Sequence, residues 1–137
     1  MIGFTASSFD LLHAGHIEML KECKENCDYL IVGLNLNPTN KATVQSAMER
    51  YTQLQGCKYI DEIIPYESEQ DLENLLLLKR IDRRFLGEDY KNSSRDVRIG
   101  LNFTGSQLDI EIYYNDRKHK FSTSELKERC KTSSLSK

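Results

Sequence analysis

Apolar positions along the chain follow two alternating spacings, short continuous runs and stretches recurring every three or four residues. Ile2–Ala6 reads as a first strand, and Tyr29-Leu30-Ile31-Val32-Gly33-Leu34 as a second, unbroken enough to be covered on both faces. Between them Ile17, Leu20, Cys23 and Cys27 recur at helical spacing, predicting a helix over Gly15–Asn26. The turn-rich stretch Asn35–Asn40 interrupts the pattern, and a helix follows over Ser46–Cys57. Tyr59–Pro65 reads as a third strand, Gln70–Leu78 as a leucine-dense helix, and Arg84–Gly87 as a fourth strand. Tyr90–Leu108 is polar, with one short helix and a loop at Gly105-Ser106; Ile110–Tyr114 is a fifth strand and Ser122–Lys131 a last helix. Repeated strand–helix alternation predicts an α/β fold. Its form is a Rossmann-like, three-layer arrangement with a mainly parallel, central five-stranded sheet and helices on both faces.

At 137 residues the chain suits one domain with a real core, taken as residues 1–131 with a polar tail over 132–137. Lys and Arg number 19 against 21 Asp and Glu, a net charge of −2, so no broad basic field favours nucleic acid. Lys79-Arg80 and Arg83-Arg84 form only a short solvated cluster. No membrane-length apolar run and no basic leader are visible, which predicts a cytoplasmic protein without a membrane span. The four cysteines read as free thiols in such a setting. Cys23 and Cys27 stand one helical turn apart and favour core packing over metal binding, since no second ligand pair follows.

Chemistry concentrates in "FDLLHAGHIEML", residues 9–20. In open α/β sheets ligands bind beyond the carboxyl ends of the strands, where this loop falls. His13 and His16 flank Gly15 at a helix start, and Gly15 removes a side chain that would block a phosphate. The plain alternative is that both histidines cap and pack the helix. Near the other end, Ser122-Thr123-Ser124-Glu125 forms a capping-box pattern beside Arg117, Lys118, His119 and Lys120. Two helix N-termini on one sheet edge, one with histidines and one with hydroxyls and cations, would make a polyphosphate cradle.

"SFDLLHAGH" resembles the first signature of the nucleotidyltransferase superfamily, and "FSTSELK" its C-terminal I-S-T-T-x-I-K stretch. The likeness is nearest to the glycerol-3-phosphate cytidylyltransferase type. It extends through "HAGHIEMLKECKENCDYLIVGLN", "ERYTQLQGCKYIDEIIP" and "FLGEDY", so four stretches occur in the family's order.

The resemblance implies attack by a substrate phosphate oxygen on the α-phosphate of a nucleoside triphosphate, giving a CDP-alcohol and pyrophosphate. CTP is the favoured triphosphate and a phosphorylated alcohol such as glycerol phosphate the acceptor. The implied catalytic residues are His13, His16, Lys41 and Arg117. Ser8, Phe9, Asp10, Gly15, Asp89, Ser122 and Thr123 are implied on the nucleotide side, and Arg50, Lys58 and Asp61 on the acceptor side. Read without the family, Lys41 and Arg50 are a solvated surface pair. Asp10 is implied near Mg²⁺, which suits carboxylate and phosphate oxygens, and a homodimer is expected. The sequence departs from the pattern at Ser7 (glycine), Lys58 (arginine), Lys118 and Lys120 (threonine and glycine) and Asn37 (an acidic residue). Its loop after the second strand is about four residues shorter. Two other readings stand beside this one. "GEDYK" also resembles the G-G-D-Y-K of adenylyltransferases that build ADP-sugars. A nucleotide-binding module without catalysis is disfavoured because His13, His16, Ser122 and Thr123 are all present.

Overall fold

A computed structural model describes residues 1–38, 42–87, 110–116 and 123–135. Strands β1 (Ile2–Ser7), β2 (Tyr29–Asn35), β3 (Glu62–Tyr66), β4 (Arg83–Gly87) and β5 (Glu111–Asn115) form one sheet in the order β3-β2-β1-β4-β5. Every pairing is parallel. Helices α1 (Ala14–Glu25), α2 (Ala47–Gln55), α3 (Glu69–Leu78) and α4 (Thr123–Leu135) connect or follow the strands. The α/β expectation therefore holds. Strand order reverses at β1, with β2 on one side and β4 on the other, so a crevice opens beyond the carboxyl ends of β1 and β4.

Side chains alternate across the strands and divide the core in two. Leu30, Val32 and Leu34 of β2 and Phe85 of β4 pack under Leu20 and Cys23 of α1 and Leu54 of α2. On the other face Phe4 and Ile31 meet Leu72 and Leu76 of α3, with Ile81 and Ile110. Burial pushes the Cys23 thiol up to about 12, leaving it an inert core group as expected. The described cysteines are free, and no set of three potential ligands is placed to hold a metal among the described residues.

Most boundaries match the pattern within two residues, with two informative differences. The third strand begins at Glu62 rather than Tyr59. Ile60 N–H turns back to the Cys57 carbonyl at 3.4 Å, and Tyr59 and Ile60 pack on the α1/α2 side of the core instead of pairing. Helix α4 runs to Leu135, four residues beyond the expected end at Lys131, into the segment read as a tail. The polar stretch 90–108 lies outside the described residues.

Two glycines let aromatic rings lie across neighbouring strands. A Cβ on Gly33 would stand 2.7 Å from the Phe4 ring, and one on Gly3 would stand 2.6 Å from the Phe85 ring and 2.8 Å from Cys27 Sγ. At Gly3 relief requires the buried Phe85 ring and Cys27 to give way. Gly3→Ala should lower the unfolding free energy by about 1–3 kcal/mol, the usual range for overpacking. Urea unfolding checks this, and wild-type stability would show that the rings can move aside.

Candidate active site

Beyond β1 the chain takes a path most side chains resist. Phe9 and Leu11 sit at φ 50° and 51°, in the left-handed region. For non-glycine residues this costs about 1–2 kcal/mol each, so neighbouring contacts must hold it. Phe9 supplies one: its side chain is 1% exposed and belongs to the core under α1. The Phe9 ring therefore belongs to the core, and only its backbone lies along the loop. It pins the loop from below and places its ring 5.6 Å from that of His16.

The segment before α2 supplies the rest. Asp10 is 6% exposed, and its carboxylate accepts the Val44 N–H at 2.9 Å and the Gln45 N–H at 3.0 Å. Gln45 Oε1 in turn accepts the Leu11 N–H at 2.8 Å. Arg50, only 2% exposed, donates from Nη1 to the carbonyls of Ser8 at 2.9 Å and Asn35 at 2.7 Å, and from Nη2 to Leu36 at 3.2 Å. The solvated reading of Arg50 does not fit this burial. Its guanidinium instead joins the loops after β1 and β2 from beneath, a task suited to several donors in one plane.

The two histidines close the loop into α1. His13 is the N-cap, with extended backbone, and its ring accepts the Gly15 N–H at Nδ1, 2.9 Å, and the His16 amide. His16 Nδ1 accepts the His13 N–H at 3.2 Å, completing a reciprocal capping box made of two imidazoles. Their ring centroids lie 4.1 Å apart. An Nδ1 that accepts an amide hydrogen carries no proton, so each neutral ring holds its hydrogen on Nε2, across the ring from the helix. Capping is therefore compatible with an Nε2 hydrogen on each ring. Helix capping orients both rings as donors, and buried Gly15 keeps the helix start free of a side chain between them.

Helix α4 reaches the same edge. Lys127 Nζ lies 3.8 Å from Asp10 Oδ2, which brings the first turns of α4 to the histidine loop. Thr123 opens that helix. Lys41, Asp89, Arg117 and Ser122 lie outside the described residues.

Lys58 and Asp61 are not brought to this edge. They lie between α2 and β3, at the amino ends of the strands. There Asp61 accepts the Leu30 N–H at 2.8 Å and pairs with Lys24 at 2.6 Å, while Lys58 Nζ lies 5.2 Å from the centre of the Tyr59 ring. A pocket of about 260 Å³ opens there against Tyr51, Leu54 and Ile60. The structure thus sets both at the amino edge of the sheet, away from the histidines. Gln45 and Lys127 are residues at this edge that the sequence reading passed over. Lys127 had a signal, as the final lysine of "FSTSELK", whereas Gln45 had none beyond preceding the α2 N-cap, Ser46.

Comparison with known proteins agrees with this geometry. The sequence profile described as cytidylyltransferase-like matches residues 4–129. Glycerol-3-phosphate cytidylyltransferase of Bacillus subtilis is 29% identical over 128 residues, covering 90% of this chain and 92% of that protein. The bifunctional protein HldE of Granulibacter bethesdensis is 34% identical over 98 residues, covering 66% of this chain but only 20% of that longer protein. In three dimensions the lipopolysaccharide core biosynthesis protein of Thermoplasma volcanium superposes with a TM-score of 0.67 at 25% identity, over 85% of this chain and 98% of that one.

Burial alone would raise the Asp10 pKa. The Val44 and Gln45 amides and the charges of Lys127 and Arg50 outweigh it, and the carboxyl titrates below its ordinary 3.8. A depressed folded value means that its stabilisation is complete above the ordinary value and is lost as pH falls through the folded one. Asp10→Asn should therefore be less stable than wild type at neutral pH, with the gap narrowing below pH 3.8. Urea unfolding over a pH series checks this; a gap unchanged in acid would remove Asp10 from the loop's electrostatics.

Proposed function

Because the chain belongs to the cytidylyltransferase-like family, we propose that it transfers a cytidylyl group from CTP to a phosphorylated alcohol. The observation that carries this reading is the pair of imidazoles fixed by mutual capping at the head of α1, at the carboxyl edge of β1. In the reaction a phosphate oxygen of the acceptor attacks the α-phosphorus. A new P–O bond forms, the bond to the β-phosphate bridge breaks, and pyrophosphate departs. No protein nucleophile is needed, so catalysis rests on positioning and on donors aimed at the developing charge.

His13 and His16, with hydrogens on Nε2, are neutral donors to phosphate oxygens, and each such donor is worth about 10²–10³-fold in rate. Lys41, Arg117, Ser122 and Thr123 complete the phosphate contacts in this reading, and Asp89 lies on the base side. Arg50, Phe9 and Gly15 serve by shaping the loop. Mg²⁺ suits the reaction as the divalent ion, since it keeps water and leans on phosphate oxygens; Asp10, buried with both oxygens bound by the Val44 and Gln45 amides, would support it through water and through the loop it holds. When bound, the ion neutralises triphosphate charge. Support for the acceptor class comes from the full-length match to the Bacillus subtilis cytidylyltransferase. The short match within HldE keeps a sugar phosphate in the acceptor set, and "GEDYK" keeps ATP in the donor set. A homodimer of cytoplasmic location completes the proposal. No helix among the described residues is long and apolar enough to cross a membrane.

The test is pyrophosphate release with Mg²⁺, crossing CTP, ATP, UTP and GTP against glycerol phosphate, other polyol phosphates, sugar phosphates and phosphoethanolamine. The expected result is one productive pair with CTP, silenced by chelator and lowered at least about 10²-fold in kcat by His16→Ala, with modest change in nucleotide affinity. A productive pair with ATP would correct the base. Full activity of His16→Ala would remove the histidines from the mechanism.

A further inference from the structure

We propose that Gln45 is the positioning residue of the histidine pair, an inference that rests on the nucleotidyl-transfer reading of the site. Three polar groups of this one residue lie on the loop system. Its side-chain oxygen accepts the Leu11 N–H at 2.8 Å, its N–H donates to Asp10 at 3.0 Å, and its carbonyl accepts the Thr43 hydroxyl at 2.9 Å. Leu11 stands in the left-handed region, two residues before the His13 cap. The Gln45 acceptor therefore meets the chain where its backbone is under strain, immediately ahead of the reacting groups. An amide donor at Leu11 fixes Oε1 as the contacting atom.

With that acceptor gone, Leu11 can relax toward an ordinary conformation. The His13 ring then moves with it, and the reciprocal cap with His16 is disturbed. Gln45 touches neither the triphosphate nor the acceptor in this scheme; it acts through Leu11. A misplacement of about 1 Å at reacting groups lowers rate by roughly 10²-fold, which sets the expected scale.

The experiment compares Gln45→Leu, which removes the acceptor at similar length, with Gln45→Glu, which keeps an acceptor oxygen. Val44→Ala serves as a neighbouring control, since Val44 binds Asp10 through its backbone N–H alone and is 65% exposed. Gln45→Leu should lower kcat by about 10- to 100-fold with little change in KM for the triphosphate. Gln45→Glu should recover much of the loss. Nitrogen-15 spectra of the imidazoles supply a readout apart from activity. Wild type should show both rings with hydrogen on Nε2, and Gln45→Leu should shift or mix those signals while Tm stays near wild type.

A second arm covers a variant that folds poorly. Glycine adopts the left-handed region freely, so Gln45→Leu should do less harm to kcat and to the ring signals in a Leu11→Gly background. Equal harm in both backgrounds, or wild-type kcat with unchanged ring signals in Gln45→Leu, overturns the proposal. If wild type turns over no triphosphate at all, the transferase reading fails, and the ring signals still decide the role of Gln45.

Discussion

The chemistry of this protein depends on a strained stretch of backbone held in place from one side. Phe9 and Leu11 occupy a conformation that neither residue prefers. Five contacts hold it: the Phe9 ring in the core, the two amide bonds to Asp10, the Gln45 bond to Leu11, and the Arg50 bond to Ser8. Three of these come from the segment that leads into α2, and the Arg50 bond from α2 itself. Residues 44–50 thereby bear on the loop that leads into α1's first turn. Strained backbone at such a site is stable only when its surroundings over-determine it, and here one short segment provides that excess.

The electrostatics of the edge follow from the same segment. Arg50 is a buried cation with a partner set of carbonyl dipoles, and Asp10 is a buried anion bound by amides and facing Lys127. Neither is left as an uncompensated charge, which would be costly at that burial. The amides that bind Asp10 belong to the two residues just before Ser46, the α2 N-cap, where partial positive charge gathers. A chain of net charge −2 can thereby offer a local anion site. The histidines add donors rather than charge. Their Nδ1 atoms are engaged by the helix amides, so the hydrogen sits on the side of each ring that the helix does not use.

Much of this was legible in the residues. The alternation of β2's unbroken apolar run with amphipathic stretches specifies the parallel sheet, and His13, Gly15 and His16 mark the edge where a ligand belongs. What pattern alone could not supply was the direction of each side chain. Phe9 lies inside a motif, yet an aromatic ring after a buried strand has a core to enter, and it does. Arg50 looks like a surface cation by type; only the meeting of three carbonyls beneath the loop gives it a buried place. Gln45 carries no periodic or chemical signature, because its task depends on the Leu11 backbone angle, which no composition announces. The third strand begins late because Tyr59 and Ile60 gain more by packing on the α1/α2 core than by pairing at the sheet edge.

The stretch "KYIDEIIP" lies at the amino edge of the sheet, opposite the histidine loop. Asp61 binds the first buried amide of β2 and the Lys24 ammonium near the end of α1, so it fixes where β2, β3 and α1 begin and end relative to one another. Its pKa is depressed although burial opposes this, because the Lys24 bond and the Leu30 amide prevail. In a parallel sheet all amino ends lie on one side and all carboxyl ends on the other. A residue that registers the strands at the amino edge thus determines, through the rigid length of β1 and β2, where the loops emerge at the carboxyl edge. The β1–β2 register from Ile2↔Tyr29 to Ser7↔Leu34 carries that setting across the sheet. Motif residues at both edges are then explained by one requirement. The loops after β1 and β2 must emerge close enough for Arg50 to bond Ser8 and Asn35 at once, and only then is the histidine loop held against its strain.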